Sequence, residues 1–324
     1  MRYLLIWICI FSISSCFGQD VHLTQFYTSN LSLNPAYTGS YLGDIRLVAN
    51  YRSQWSQVNA PIQTNMISAE KKIIVKRNDV GLGLLFLNDR LQLNTNKIFL
   101  SGSIQKNLQG HLLKIGLQGG IVTKRTNIDQ TFPLQWNYAE GIYDQSKSSS
   151  ETNIINQTAY PAFNVGLGWS KKLKNIKFGA GYSLFNLNRP VDGFVSNKIK
   201  LPFRHVGNLE ASFYLKSFTV VPRLLYMRTA GATNAVFVAN AYKSITKDVT
   251  AMLGAGYRGS ETNSDAFLAY AGITYKRFDV GFSVDFNMSQ LSNQSKNKTA
   301  YEISLIYTTP SIFSSKATIP CDRY

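Results

Sequence analysis

Hydrophobic and polar positions along this chain alternate with a period of two, not with the three-to-four-residue period of a helix. In RFDVGFSVDFNMS, Phe278, Val280, Phe282, Val284, Phe286 and Met288 fall on one side of an extended strand. Arg277, Asp279, Gly281, Ser283, Asp285 and Asn287 fall on the other. The same division recurs: Ile45, Leu47, Ala49 and Tyr51 oppose Arg46, Asn50 and Arg52. Leu113, Ile115, Leu117 and Ile121 oppose Lys114, Gln118 and Lys124. Phe178, Ala180, Tyr182 and Leu184 oppose Lys177, Gly179, Gly181 and Ser183, and Tyr301, Ile303, Leu305 and Tyr307 oppose Glu302 and Ser304.

Strands of a soluble sandwich alternate too, but they typically run to about 5–6 residues. These runs are nearly twice as long. A tilted strand needs about 9–11 residues to cross a bilayer with apolar side chains outward and polar ones in the lumen. The pattern predicts fourteen strands, over residues 45–52, 63–72, 80–88, 96–106, 112–124, 160–171, 176–187, 204–215, 218–228, 234–243, 248–258, 265–276, 277–288 and 300–308. The predicted fold class is all-β: a transmembrane antiparallel β-barrel of the outer-membrane type. An even strand number puts both chain ends on the periplasmic side, with short turns there and longer loops outside. Connections 53–62, 125–159, 188–203 and 289–299 form the long set, and 172–175, 216–217, 244–247 and 276–277 the short set. The exceptions are a short outer loop near Gly231 and a longer inner turn over 73–79.

Two segments precede the first strand. Residues 1–18 carry one Arg, an apolar run from Leu4 to Ile13 and small residues, which reads as a signal peptide too short to span. Cleavage after Gly18 would leave Gln19 first. Ile13-Ser14-Ser15-Cys16 also fits a lipoprotein pattern, which would leave an acylated Cys16. With Cys9 and Cys16 in this region, Cys321 stands alone and no internal disulfide is expected. Residues 19–44 include QFYTSNLSLNPAYTGS, which has no helical period and no strict alternation. Asn34-Pro35 forbids a regular helix or a central strand there, while Phe26, Tyr27 and Tyr37 need burial. The expectation is a partial plug in the periplasmic mouth of a barrel spanning 45–309. A periplasmic tail, 310–324, would pack beside it.

The formal net charge is +16. Much of it falls at the proposed periplasmic ends: Lys71, Lys72, Lys76, Arg77, Lys171, Lys172, Lys174, Lys276 and Arg277. That placement argues against nucleic acid as a partner. Two readings stand: lysines snorkelling at the headgroups of outer-membrane lipid, or a basic collar that docks an acidic periplasmic protein.

Catalytic and cofactor signals are absent from the sequence. His22, His111 and His205 form no metal-binding pattern. The pairs Gly81/Gly83, Gly166/Gly168, Gly179/Gly181 and Gly254/Gly256 open no helix, so they read as lumen-facing packing positions. No metal or cofactor is expected. Asn88-Asp89-Arg90 is the best polar cluster, and its plainer reading is a turn holding an Asp–Arg pair. The long connection carries Phe132, Trp136, Tyr138 and Tyr143, which suit either a binding surface or a lid packed on itself.

The chain resembles the PorP/SprF family of outer-membrane proteins of the type IX secretion system of Bacteroidota. The resemblance rests on QDVHLTQFYTSNLSLNPAYTGS with Asn34, Pro35 and Gly39, on YRSQW with Tyr51, Arg52 and Trp55, and on GLGLLFLNDR ending in Asn88, Asp89 and Arg90. KIGLQGG and KFGAGYSLFNLNRP are similar to its central strands. IPCDRY, with Cys321 and Arg323, resembles the family's Cys-Pro-Arg-Phe close, with Asp322 and Tyr324 as departures. The resemblance implies a non-enzymatic barrel that helps secrete or attach client proteins with type-B C-terminal sorting domains, such as gliding-motility adhesins. It also implies contact with periplasmic components of the machine. Two alternatives from other classes are a passive porin, for which inward Arg46, Arg52, Lys114, Lys124 and Glu302 would suit a wet lumen, and an outer-membrane hydrolase using Asp89.

Overall fold

The computed structural model describes residues 23–54, 61–76, 78–90, 93–126, 136–137, 140–144, 157–192, 199–260, 266–288 and 299–311. Fourteen antiparallel strands close into one barrel, each paired with its neighbours in sequence and the last with the first. They are β1 (Ile45–Gln54), β2 (Ile62–Val75), β3 (Asn78–Arg90), β4 (Leu93–Leu108), β5 (His111–Thr126), β6 (Gln157–Lys172) and β7 (Ile176–Phe185). There follow β8 (Arg204–Tyr214), β9 (Thr219–Thr229), β10 (Ala232–Ser244), β11 (Val249–Gly259), β12 (Ala266–Tyr275), β13 (Phe278–Asn287) and β14 (Ala300–Thr308). Every strand expected from the alternation is present, with ends displaced by a few residues. Two small ribbons lie in the long connections: Trp136–Asn137 with Ile142–Tyr143, and Val191–Asp192 with Ile199–Lys200.

One end of the barrel carries tight turns and both ends of the strand series; the other carries the long connections. The inner turn expected to be long is short, because β2 continues to Val75 and β3 resumes at Asn78. Lys76 makes that reversal with φ 46, in the left-handed region. The tight outer reversal at Ala230–Gly231 is as expected.

The outer wall is apolar. Leu100 is 68% exposed and Leu253 67%, with Leu117, Ile121, Phe237 and Phe282 beside them in kind. A belt of this character needs hydrocarbon rather than water around it. The lumen departs from the polar interior expected. Val221 and Leu225 on β9, Val236 and Val238 on β10 and Leu268 on β12 point inward and are buried with Phe26, Leu33 and Tyr270. A second cluster joins Leu23 and Leu31 to Met66, Leu85, Leu87, Phe99 and Val122. The barrel therefore has a packed core inside it, built around residues 23–44.

Candidate functional site: the occupied lumen

Residues 23–44 run down the inside of the barrel, from its loop-bearing half to its turn end, deeper than the periplasmic mouth. At the upper end, the amides of Thr24 and Gln25 donate to the two carboxylate oxygens of Glu302 at 2.7 and 3.1 Å. Glu302, on β14, is fully buried. Arg52 on β1 pairs with Asp285 of β13 at 2.8 Å and with Glu302 at 3.7 Å, and its guanidinium touches the Thr24 hydroxyl. Arg258 on β11 reaches the same Asp285 oxygen at 2.8 Å. Thr24 Oγ1 donates to Asp285 Oδ1 at 2.8 Å. Two buried arginines and two buried carboxylates thus balance, and backbone amides of the segment take the remaining lone pairs, as a buried ionic cluster requires.

The middle of the segment is made of short turns: Phe26–Thr28, Asn30–Leu33 and Pro35–Tyr37. Asn34 separates the last two because the residue before a proline is forced out of the helical region, and its ψ is 119. Its side chain then does three things. Oδ1 accepts from the Ala36 amide at 2.9 Å, and Nδ2 donates to the carbonyls of Leu167 at 2.9 Å and Tyr182 at 3.3 Å, which ties the turn to β6 and β7. Inward polar residues satisfy the irregular backbone: Gln118 Nε2 donates to the Leu31 carbonyl at 3.0 Å and Ser183 Oγ to the Leu33 carbonyl at 2.8 Å.

At the turn end, Ser103 Oγ and Gln105 Nε2 donate to the Thr38 carbonyl at 2.6 and 3.0 Å. The Gly39 amide donates to Glu70 Oε2 at 2.9 Å, and Arg46 holds the other oxygen of Glu70 at 3.3 Å. Tyr41 donates to the Glu70 carbonyl at 2.8 Å, while Lys72 Nζ donates to the Tyr41 carbonyl at 2.9 Å. Burial, and then the nearby Glu70 carboxylate, push the Tyr41 phenol above its ordinary range.

The inward glycines have a reason that the sequence did not reveal. A Cβ on Gly116 would overlap the Pro35 carbonyl, one on Gly166 the Asn34 amide oxygen, and one on Gly181 the Tyr37 hydroxyl. Gly81 stands in the same relation to the Thr38 carbonyl. Close backbone approach, not strand packing alone, is what excludes side chains there.

The sequence-predicted residues fall into separate groups. Asn34, Pro35, Gly39 and Arg52 all lie in the lumen, at the separate levels described. Tyr51 lies on the outer face beside Tyr301, with ring centroids 6.2 Å apart. Asn88, Asp89 and Arg90 form no turn: they continue β3. Alternation turns Asp89 inward, where its Oδ1 accepts from Thr64 at 2.8 Å, while Asn88 Nδ2 donates to Asn94 and Asn96, each at 2.7 Å. The five inward charges expected to wet a pore are engaged: Arg46 with Glu70, Arg52 with Asp285, Lys114 with Ser40, Lys124 with Asp192, and Glu302 with the segment. The basic positions do not form one ring. Lys72 and Lys172 turn inward, the latter over the Tyr214 ring at 5.3 Å, and Lys71 and Lys171 lie on the outer wall. Lys76, Lys174, Lys276 and Arg277 occupy turns. Residues 1–22, Trp55, Arg77, Phe132, Tyr138 and the tail from 312, with Cys321 and Arg323, lie outside the described residues.

A closed, lipid-belted barrel with an occupied interior is an outer-membrane β-barrel protein. Solved barrels are similar to it. The CymD monoaromatic hydrocarbon channel has a TM-score of 0.51 at 12% identity, covering 88% of this chain and 94% of that one. A FadL homologue of Pseudomonas aeruginosa has a TM-score of 0.52 at 12% identity, covering 85% and 92%. The Ralstonia pickettii toluene transporter TbuX has a TM-score of 0.50 at 11% identity, covering 87% and 94%. Likeness at this identity shows the fold alone. No curated protein sequence matches the chain. The family model for the type IX secretion system membrane protein PorP/SprF matches residues 15–307, and the chain belongs to that family. Family and fold place it in the outer membrane, as a membrane protein of the type IX secretion system.

Proposed function

We propose that this barrel works as a closed outer-membrane component of the type IX secretion system. It would help secrete or attach client proteins that carry type-B C-terminal sorting domains, gliding-motility adhesins among them. The observation that carries this reading is the lock on the lumen, in which the Thr24 and Gln25 amides are held on Glu302. A passive porin keeps its inward charges in water, whereas here Arg46, Arg52, Lys114 and Glu302 contact the chain's own segment and Lys124 pairs with Asp192. In this reading residues 1–18 are a removed signal, 19–44 form the plug, and 310–324 form a periplasmic tail. Lys76, Lys174, Lys276 and Arg277, on turns at the periplasmic end, face the periplasmic partners of the machine. Lys71, Arg77 and Lys172 flank them, and the motif residues Trp55, Asn88, Arg90, Cys321 and Arg323 support the same assembly.

The test is a pull-down of the tagged barrel from native outer membranes, with mass spectrometry of what accompanies it. A large protein with a type-B C-terminal domain, together with periplasmic machine components, is the expected result. A barrel that emerges alone and conducts ions in a planar bilayer would replace this reading with the channel one.

A further inference from the structure

The lipid-facing wall carries a groove of about 420 Å³ over β6–β10. Its walls are Trp169, Leu209, Leu224 and Phe237, and its floor is Ala180, Ala211 and Pro222. The floor is low for two reasons. The outward residues there are small, and the β8–β9 ladder is interrupted. Pairing runs from Arg204↔Thr229 to Glu210↔Arg223 and resumes only at Phe213↔Val220. Pro222 has no N–H to give to β8, while its pairing with Ala239 on β10 is intact. Glu210 and Arg223, 2.6 Å apart, close the bottom as a matched pair.

The register connects this groove to the barrel's periplasmic rim. One row of outward residues reads His111↔Lys171↔Phe178↔Ala211, and the next reads Leu113↔Trp169↔Ala180↔Leu209↔Leu224↔Phe237. Because barrel strands are tilted, such rows climb obliquely from the rim into the membrane. The row starts at His111, the first residue of β5, next to a tight turn.

At that start the hydrogen bonding is incomplete. Trp169 Nε1 donates to His111 Nδ1 at 3.0 Å. An indole N–H can only donate, so Nδ1 is the bare nitrogen and the imidazole proton sits on Nε2. Nε2 faces Lys171 Nζ at 2.9 Å, and an ammonium also only donates. Two donors converge, and among the described residues no acceptor lies between them. An anionic oxygen is the group that satisfies both.

We propose that this wall is a binding site for one anionic phospholipid of the periplasmic leaflet. Its phosphate accepts from Lys171 Nζ and His111 Nε2, and an acyl chain lies over Ala180, Ala211 and Pro222 between Trp169 and Leu224. Trp169 links the two halves, since its ring lines the groove and its N–H fixes the histidine tautomer.

The test places the full barrel in nanodiscs of phosphatidylcholine containing either brominated phosphatidylglycerol or brominated phosphatidylcholine, and reads quenching of tryptophan fluorescence. The Trp169 share is isolated by subtracting the signal of Trp169→Phe. Phosphatidylglycerol is expected to be preferred about fivefold, and the double variant Lys171→Gln, His111→Gln to bring the ratio near one. Ala211→Leu, which fills the floor, should weaken quenching by both lipids. No preference in the parent chain, or a preference that survives the double variant, overturns the proposal. So does undiminished quenching in Ala211→Leu. Loss of the preference on adding inorganic phosphate, against chloride at equal ionic strength, would assign the donors to a free anion and overturn the lipid.

Discussion

Replacing Glu302 by glutamine probes the upper lock with almost no change in shape. The wild-type carboxylate takes the Thr24 amide at 2.7 Å and the Gln25 amide at 3.1 Å, and it helps balance Arg52. Glutamine keeps one carbonyl oxygen, but its NH₂ must face the other amide. One charge-assisted bond is lost and one buried N–H is left without an acceptor, a cost of about 3 kcal/mol once the partly unbalanced Arg52 is included. Local opening of the segment's tip should therefore become about a hundredfold more frequent, at about 1.4 kcal/mol per decade. Amide hydrogen exchange measures this directly. Thr24 and Gln25 should exchange about a hundredfold faster in Glu302→Gln, while the Gly39 amide, held independently by Glu70, keeps its rate. Exchange at Thr24 and Gln25 within about threefold of the parent chain would show that the carboxylate is not what holds the tip.

Arg52→Ala should destabilise the barrel by about 3–5 kcal/mol, read as a lower thermal midpoint, because Glu302 loses its cation. Combined with Glu302→Gln, the loss should be less than the sum, since the two side chains share one cluster. Gly166→Ala places a Cβ on the Asn34 amide oxygen and should cost about 1–3 kcal/mol. Gly102→Ala, where a Cβ would meet nothing within 4 Å, is the control, and equal losses at the two sites would refute the close-approach reading. The parent barrel should be silent in planar bilayers, and Thr24→Pro, which removes a donor to Glu302, should produce intermittent conductance; a conducting parent would refute the sealed lumen. Lys76→Glu with Lys174→Glu should weaken capture of periplasmic components at low salt, with the difference vanishing at high salt.

The strands were legible because the outer wall obeys a single rule. Lipid demands apolar side chains at every second position, as in Phe278 to Phe286, and nothing in the lumen can override that. The interior was legible only where it is polar. Val221, Leu225, Val236 and Val238 lie on strands apolar on both faces, and alternation cannot say that such a strand faces a packed core. Gly81, Gly166 and Gly181 were seen as inward and small, but the atoms of the inner segment that they meet are more than forty residues away in sequence, beyond the reach of any local pattern. Asn88-Asp89-Arg90 looked like a turn because polar triplets commonly are. At the end of a barrel strand, where headgroups replace hydrocarbon, the same composition simply continues the strand. The His111–Trp169–Lys171 contact has no sequence signature either: His111 stands alone, and only the β5–β6 register brings the three together.

The location of the lock has a consequence for how the protein is made. Thr24 and Gln25 precede every strand of the barrel, and Glu302 lies on its final strand, β14, opposite Arg52 on β1. The seam where the two ends of the sheet meet is therefore also the place where the segment synthesised first is captured by the strand synthesised last. A chain that stops short of β14 has neither a closed wall nor a holder for its own beginning. Closure during biogenesis and completion of the interior become a single event, so a membrane-insertion machine releasing the seam would release only finished molecules.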